Sequence, residues 1–132
     1  MLNYPLTALV TLMAVALFLY MGLRVGLSRN KYGVDAPATT GHPDFERLFR
    51  IHMNTLEGMA MFLPALWIFA AFMTDIGAAI LGLVWVIGRI TFMIGYAKAA
   101  KSRSAGFGIQ FIALVILIGG SLFGVIRALL AG

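Results

Sequence analysis

The sequence predicts an all-α integral membrane protein, a bundle of four membrane-spanning helices forming a single transmembrane domain over residues 1–132. Three observations predict it. Hydrophobic residues make up 61% of the chain and charged residues 11%, against about 25% charged in soluble domains. A water-soluble fold of this size could not bury so much apolar surface. Uncharged stretches run over Met1–Leu23, Gly58–Thr74, Ile76–Gly88 and Ser104–Ile126, and about 20 apolar residues suffice to cross a bilayer. The Lys and Arg residues cluster at the ends of those stretches, where they serve topology and anchoring.

The helices are expected at residues about 4–29, 43–74, 77–101 and 105–130. Asn3 is a candidate cap for the first, with Pro5 in its first turn. The run Asn30–His42 (NKYGVDAPATTGH) carries two glycines and a proline and reads as a loop. Pro43 suits the first turn of the second helix, and Asp44 and Glu46 lie near its positive end. Pro64 falls inside that helix, where it is expected to kink it. Thr74 and Asp75 leave room only for a very short turn, so helices two and three are antiparallel neighbours. Gly106 and Gly108 loosen the start of the fourth helix. At 1.5 Å per residue the second helix is about 48 Å long, more than a hydrocarbon core of about 30 Å. Its polar first turns therefore lie near one membrane face, and the end of the third helix returns to that face.

Orientation follows from the basic residues. Arg24, Arg29, Lys31, Arg47 and Arg50 surround the first loop, and Lys98, Lys101 and Arg103 the third. The second loop has none and the termini only Arg127. The positive-inside rule puts both termini outside and loops one and three in the cytosol. The charge of +5 is therefore membrane topology and not a nucleic-acid surface. Cysteine is absent, which removes disulfides, thiolate metal sites and a protein thiol nucleophile; no metal site is expected.

Within this apolar chain Arg47, Arg50, Asn54 and Glu57 are spaced at 3, 4 and 3 residues, one stripe on a helix. Arg89, Phe92, Tyr96 and Arg103 follow the same period in a later apolar segment, Arg103 just beyond the third helix. A charge at membrane depth costs roughly 2.5 to 3.5 kcal/mol on the most lenient scale, so it implies a partner or a task. Two facing stripes make a pocket for a charged ligand at the cytosolic end. Arginine forks suit carboxylates, the Asn54 amide donates and accepts, Glu57 accepts from an ammonium or amide, and Tyr96 donates to sulfur or oxygen. A small molecule with two carboxylates, an amine and amides satisfies the set; glutathione has that chemistry, as do other small peptides. The same residues admit a structural polar network, with Glu57 and Arg89 as an ion pair. Arg47 can equally pair locally or with lipid phosphate. His52 points about 140° away from Arg47 and reads as a packing or subunit-interface residue. An apolar groove for a second, lipophilic ligand is expected along helices one and four.

The run Phe45–Glu57 (FERLFRIHMNTLE), with Leu66–Trp67, Gly88–Arg89 and Gly95–Tyr96–Ala97, resembles the MAPEG superfamily, membrane-associated proteins in eicosanoid and glutathione metabolism. The resemblance is closest to the branch of leukotriene C4 synthase, microsomal glutathione transferase 2 and the five-lipoxygenase-activating protein. It implies a homotrimer in the bilayer with glutathione as co-substrate between subunits, on the cytosolic side; in a bacterium the membrane would be the inner one. It implies that Arg50, Asn54, Glu57 and Tyr96 contact glutathione, and that Arg29 and His52 face the site of a neighbouring subunit. It further implies that Arg103 stabilises the thiolate as the catalytic residue, for addition to a lipophilic electrophile or reduction of a lipid hydroperoxide, a glutathione peroxidase activity. Asn30, Gly58 and Phe92 depart from the synthase pattern, which has arginine, tyrosine and tyrosine there. Arg103 departs from the activating protein, which lacks that arginine.

The thiolate role has a simple physical basis. A free thiol with a pKa near 8.5 is a few per cent ionised at neutral pH, and lowering it to about 6.5 is worth roughly 2.7 kcal/mol. A neighbouring arginine in a partly dry site supplies that preference. On residues alone two other classes stand beside the enzyme: a lipid-binding helper without thiol chemistry, and a small transporter using Glu57 as a proton-coupled carboxylate.

Overall fold

A computed structural model describes residues 3–98 and 104–132, with side chains as far as Tyr96 in the first range. Four helices follow in order: α1 Pro5–Tyr32, α2 Pro43–Phe72, α3 Asp75–Lys98 and α4 Ser104–Ala131. All four are long and apolar enough to cross a membrane. α2 and α3 form the centre, each packed on both α1 and α4, while α1 and α4 barely touch among the described residues.

The ends of the helices differ in informative ways from the sequence expectation. α1 begins after Tyr4, which makes no side-chain cap. Its cap comes from α3: the Asp75 carboxylate accepts from the backbone of Leu6 at 3.1 Å and Thr7 at 2.8 Å, and from the Thr7 hydroxyl at 2.7 Å. Asn3 is thus not the cap, because a distant carboxylate already satisfies those amides. At its other end α1 runs three residues past the expected boundary. Arg29 and Lys31 sit favourably in the last turn, and Gly33 closes it in the left-handed conformation with φ 68°. The loop therefore starts at Gly33, not at Asn30.

His42 caps α2, its Nδ1 accepting from the Asp44 backbone at 3.1 Å, with Pro43 in the first turn as expected. α2 then continues as one helix through Pro64. The Thr74 hydroxyl accepts from the Gly77 backbone at 2.9 Å and starts α3 at once. Arg127 of α4 donates to the Phe72 carbonyl at 3.0 Å, satisfying an end of α2.

The core is built mainly by α2 and α3. The Phe62 and Trp85 rings stack 3.9 Å apart, and both are fully buried. α3 and α4 meet backbone to backbone where glycine leaves room: a Cβ on Gly106 would lie 2.2 Å from the Phe92 nitrogen, and one on Gly88 2.7 Å from the Gln110 nitrogen. Outside this core the surface is apolar. Leu12, Leu19 and Leu27 on α1, and Ile112, Leu122 and Phe123 on α4, are 59–74% exposed. Such a belt is stable against lipid and not against water. Gly120 and Gly124 of α4 pack on Phe69 and Phe72 of α2, and Gly22 of α1 lies against His52 of α2, whereas Gly26 meets nothing within 4 Å.

Candidate functional site

The last turns of α3 and the first turns of α2 and α4 enclose a polar cavity of about 330 Å³, at the low end of the range of small-molecule sites. Arg50 and Asn54 from α2, Phe92 and Tyr96 from α3, and Phe107 from α4 line it. The structure thus brings Arg50 and Asn54 of the first sequence stripe beside Phe92 and Tyr96 of the second, while Arg47 and Glu57 do not line this cavity. α2 supplies its side through a spacing of four residues, and the Gly88–Gly106 approach of α3 and α4 sets Phe92 beside Phe107. Phe92 is 2% exposed, Asn54 and Tyr96 are half-buried, and Arg50 is exposed. The Phe92 and Tyr96 rings lie 5.5 Å apart.

Arg89 sits behind this cavity and is 1% exposed. It donates to Asn54 Oδ1 at 2.9 Å and to Thr55 Oγ1 at 2.8 Å. Thr55 in turn donates to the Ile51 carbonyl at 2.8 Å. The guanidinium lies 4.3 Å over the Phe92 ring and 5.8 Å from that of Trp85. Glu57 is exposed and does not pair with Arg89; among the described residues the ion pairs are Asp44 with Arg47 and Asp44 with His42. The alternative of a Glu57–Arg89 pair is thus not realised, because two neutral acceptors on α2, Asn54 and Thr55, take the guanidinium. Arg47 is likewise held by Asp44 one turn earlier on α2.

The Arg89 contact fixes the chemistry that Asn54 offers. A guanidinium only donates, so the amide atom facing it is the oxygen. The Asn54 NH2 remains for the cavity. Asn54 therefore presents a donor beside the Arg50 fork, and a ligand group that meets both must be an acceptor, such as a carboxylate or an amide carbonyl.

A second groove of about 320 Å³ adjoins the first and shares Asn54 and Phe107 with it. It runs between α2 and α4. Glu57, Arg89 and Gln110 mark its polar end, and Leu114, Val115 and Ile118 its apolar length. Within one chain α1 and α4 lie on opposite sides of the α2–α3 pair among the described residues, so a groove along helices one and four does not form inside the single chain.

Arg29 and His52 lie elsewhere. Arg29 donates to the carbonyls of Ala38 at 2.8 Å and Val34 at 3.3 Å, and its guanidinium lies 4.9 Å over Phe45, so it fastens the α1–α2 loop. His52 stacks on Phe18 at 4.4 Å in an apolar groove with Gly22 and Leu23. Neither lines the polar cavity of its own chain. Arg103 lies outside the described residues. Sequence reasoning missed Thr55, Phe107 and Gln110. Thr55 and Gln110 carried a signal: both are polar side chains within apolar helices, buried at 0% and 5%. Phe107 carried none, being one of ten phenylalanines.

Comparison with known proteins identifies the family. The chain matches the MAPEG family over residues 7–123. It belongs to the MAPEG family. Among its relatives, an uncharacterized protein of Synechocystis is 47% identical over 119 residues, covering 90% of this chain and 87% of the relative. Microsomal glutathione S-transferase 2 of Homo sapiens is 39% identical over 119 residues, covering 89% and 81%. Leukotriene C4 synthase of Bos taurus is 38% identical over 113 residues, covering 86% and 75%. With four spanning-length helices, this MAPEG protein is an integral, multi-pass membrane protein.

Proposed function

We propose that this MAPEG protein is a membrane-bound glutathione transferase that joins glutathione to lipophilic electrophiles. The observation that carries the reading is the junction of the two cavities. A polar one with Arg50, Asn54 and Tyr96 opens at Asn54 and Phe107 into an apolar groove along α2 and α4. A reaction between a charged, water-soluble thiol and a lipid-soluble partner needs such a junction, since each reactant prefers a different solvent. The relatives named as a glutathione S-transferase and a leukotriene C4 synthase support the class of reaction.

In this reading Arg50 and the Asn54 amide bind acceptor groups of glutathione, Glu57 receives its ammonium, and Tyr96 lies toward the sulfur. Arg103, seven residues beyond Tyr96, stabilises the thiolate. The thiol proton leaves to solvent. The sulfur lone pair then forms a carbon–sulfur bond with the electrophile, whose electron pair moves to its leaving atom and is protonated there. With a lipid hydroperoxide the same thiolate attacks oxygen, and a second glutathione completes a disulfide while the peroxide is reduced to the alcohol. Arg29 and His52, which do not line the cavity of their own chain, reach the site of a neighbouring copy in a homotrimer. The termini lie outside and the site faces the cytosol.

Purified protein, glutathione and a panel of lipophilic electrophiles test this. Thioether product formed at a rate that saturates with glutathione is the expected result. Binding of the lipids with no product over the buffer rate would instead make the chain a non-catalytic lipid-binding protein.

A further inference from the structure

The face of α1 turned away from Arg29 carries another set of polar groups at the same end of the bundle. Tyr20, Arg24, Leu27 and Lys31 follow at steps of four, three and four residues and so form one stripe. With Ser28, Tyr32 and Leu48 of α2, the last three of these stripe residues line a cleft of about 240 Å³. The cations in it have no carboxylate partner among the described residues, whose ion pairs both belong to Asp44. Arg24 lies 5.8 Å from the Tyr20 ring and Lys31 5.3 Å from the Tyr32 ring. Ser28 uses its hydroxyl on the Val25 carbonyl. The surface next to the cations is apolar, with Leu27 74% and Leu23 58% exposed. α1 carries no charge from Pro5 to Leu23, so Arg24 marks the end of its apolar run.

Cations that merely anchor a helix extend into water above the interface and need no cleft. Here Arg24 and Lys31 stand two turns apart, roughly 10 Å along the axis, on either side of an exposed leucine. We infer that this cleft binds an anionic phospholipid, its phosphate between Arg24 and Lys31 and an acyl chain along Leu27 and Leu23. The two cations favour a headgroup of net negative charge and repel the ammonium of a zwitterionic one. The leucines add affinity that a soluble phosphate ester cannot gain. The cleft shares no lining residue with the polar cavity of its own chain.

Native mass spectrometry of the full chain in mild detergent tests it, with added dioleoyl phosphatidylglycerol or dioleoyl phosphatidylcholine. Wild-type protein should retain phosphatidylglycerol in preference. The double variant R24Q/K31Q should bind it roughly 25-fold more weakly, about five-fold per cation, with phosphatidylcholine binding unchanged. Leu27→Asp, which sets a carboxylate between the cations, should abolish the preference. Arg127→Gln, which removes the same charge at the other end of the bundle, should retain it. Equal binding of the two lipids by wild type, or equal phosphatidylglycerol binding by wild type and both cleft variants, would overturn the site. Displacement of the lipid by an equal concentration of glycerol phosphate would also overturn it, since the cleft would then hold a soluble ester.

Discussion

Asn54 is the residue on which the polar site turns. Its amide oxygen is committed to Arg89, so its NH2 is oriented before any ligand arrives, and orientation fixed in advance is affinity not lost to ordering. Asn54→Ala, Arg50→Ala and Glu57→Ala should each weaken glutathione binding by about 1–3 kcal/mol, the usual cost of a lost charged hydrogen bond. Isothermal titration calorimetry measures this, and unchanged affinity in all three folded variants would make the stripe structural. Arg89 acts through Asn54. Arg89→Met should therefore lower affinity on its own yet add little to Asn54→Ala in the double variant; full additivity would separate the two. The polar stripes themselves were legible in the sequence, because charge in an apolar helix is conspicuous. The partner choice was not. Arg89 prefers two neutral acceptors to Glu57, and that depends on how α2 and α3 are rotated against each other, which spacing alone leaves open.

At the scale of the helices, the two ends of the bundle are held by different means. At the end away from the polar cavity, Asp75 at the head of α3 caps α1 and Arg127 of α4 closes α2. Asp75→Ala leaves the Leu6 and Thr7 amides without their acceptor and should lower the midpoint of thermal unfolding, followed by circular dichroism in detergent. Thr7→Val, which removes only the hydroxyl, should lower it less, and a wild-type melt for Asp75→Ala would contradict the clamp. At the cavity end the close approach at Gly106 sets the wall. Gly106→Ala puts a methyl against the Phe92 backbone. It should destabilise the bundle by about 1–3 kcal/mol, the usual cost of overpacking, and weaken glutathione binding as Phe92 and Phe107 move apart. The number and order of helices were legible because each apolar run is long and bounded by Pro, Gly or charge. The cap of α1 was not, since its acceptor lies 68 residues away from Thr7. Nor was the groove between α2 and α4, which follows from the packing order of the bundle.

For the whole molecule, an exposed Arg50 and Glu57 on an otherwise lipid-facing bundle call for cover, because a charge facing hydrocarbon is costly. The proposed homotrimer would supply it, and native mass spectrometry should then give a trimeric mass; a monomer that still conjugates glutathione would place the whole site within one chain. The central claim concerns the thiol in that assembly. It is tested most directly by ultraviolet difference absorbance of the glutathione thiolate, recorded at neutral pH on wild-type protein and on the Arg103→Ala and Tyr96→Phe variants. Wild type should show thiolate absorbance that saturates with glutathione. Arg103→Ala should lose that signal while calorimetry still detects bound glutathione, because the charge it stabilises is on the sulfur. Tyr96→Phe should keep most of it. Glutathione bound to wild type with no thiolate signal, or a signal untouched by Arg103→Ala and abolished by Tyr96→Phe, would contradict the account.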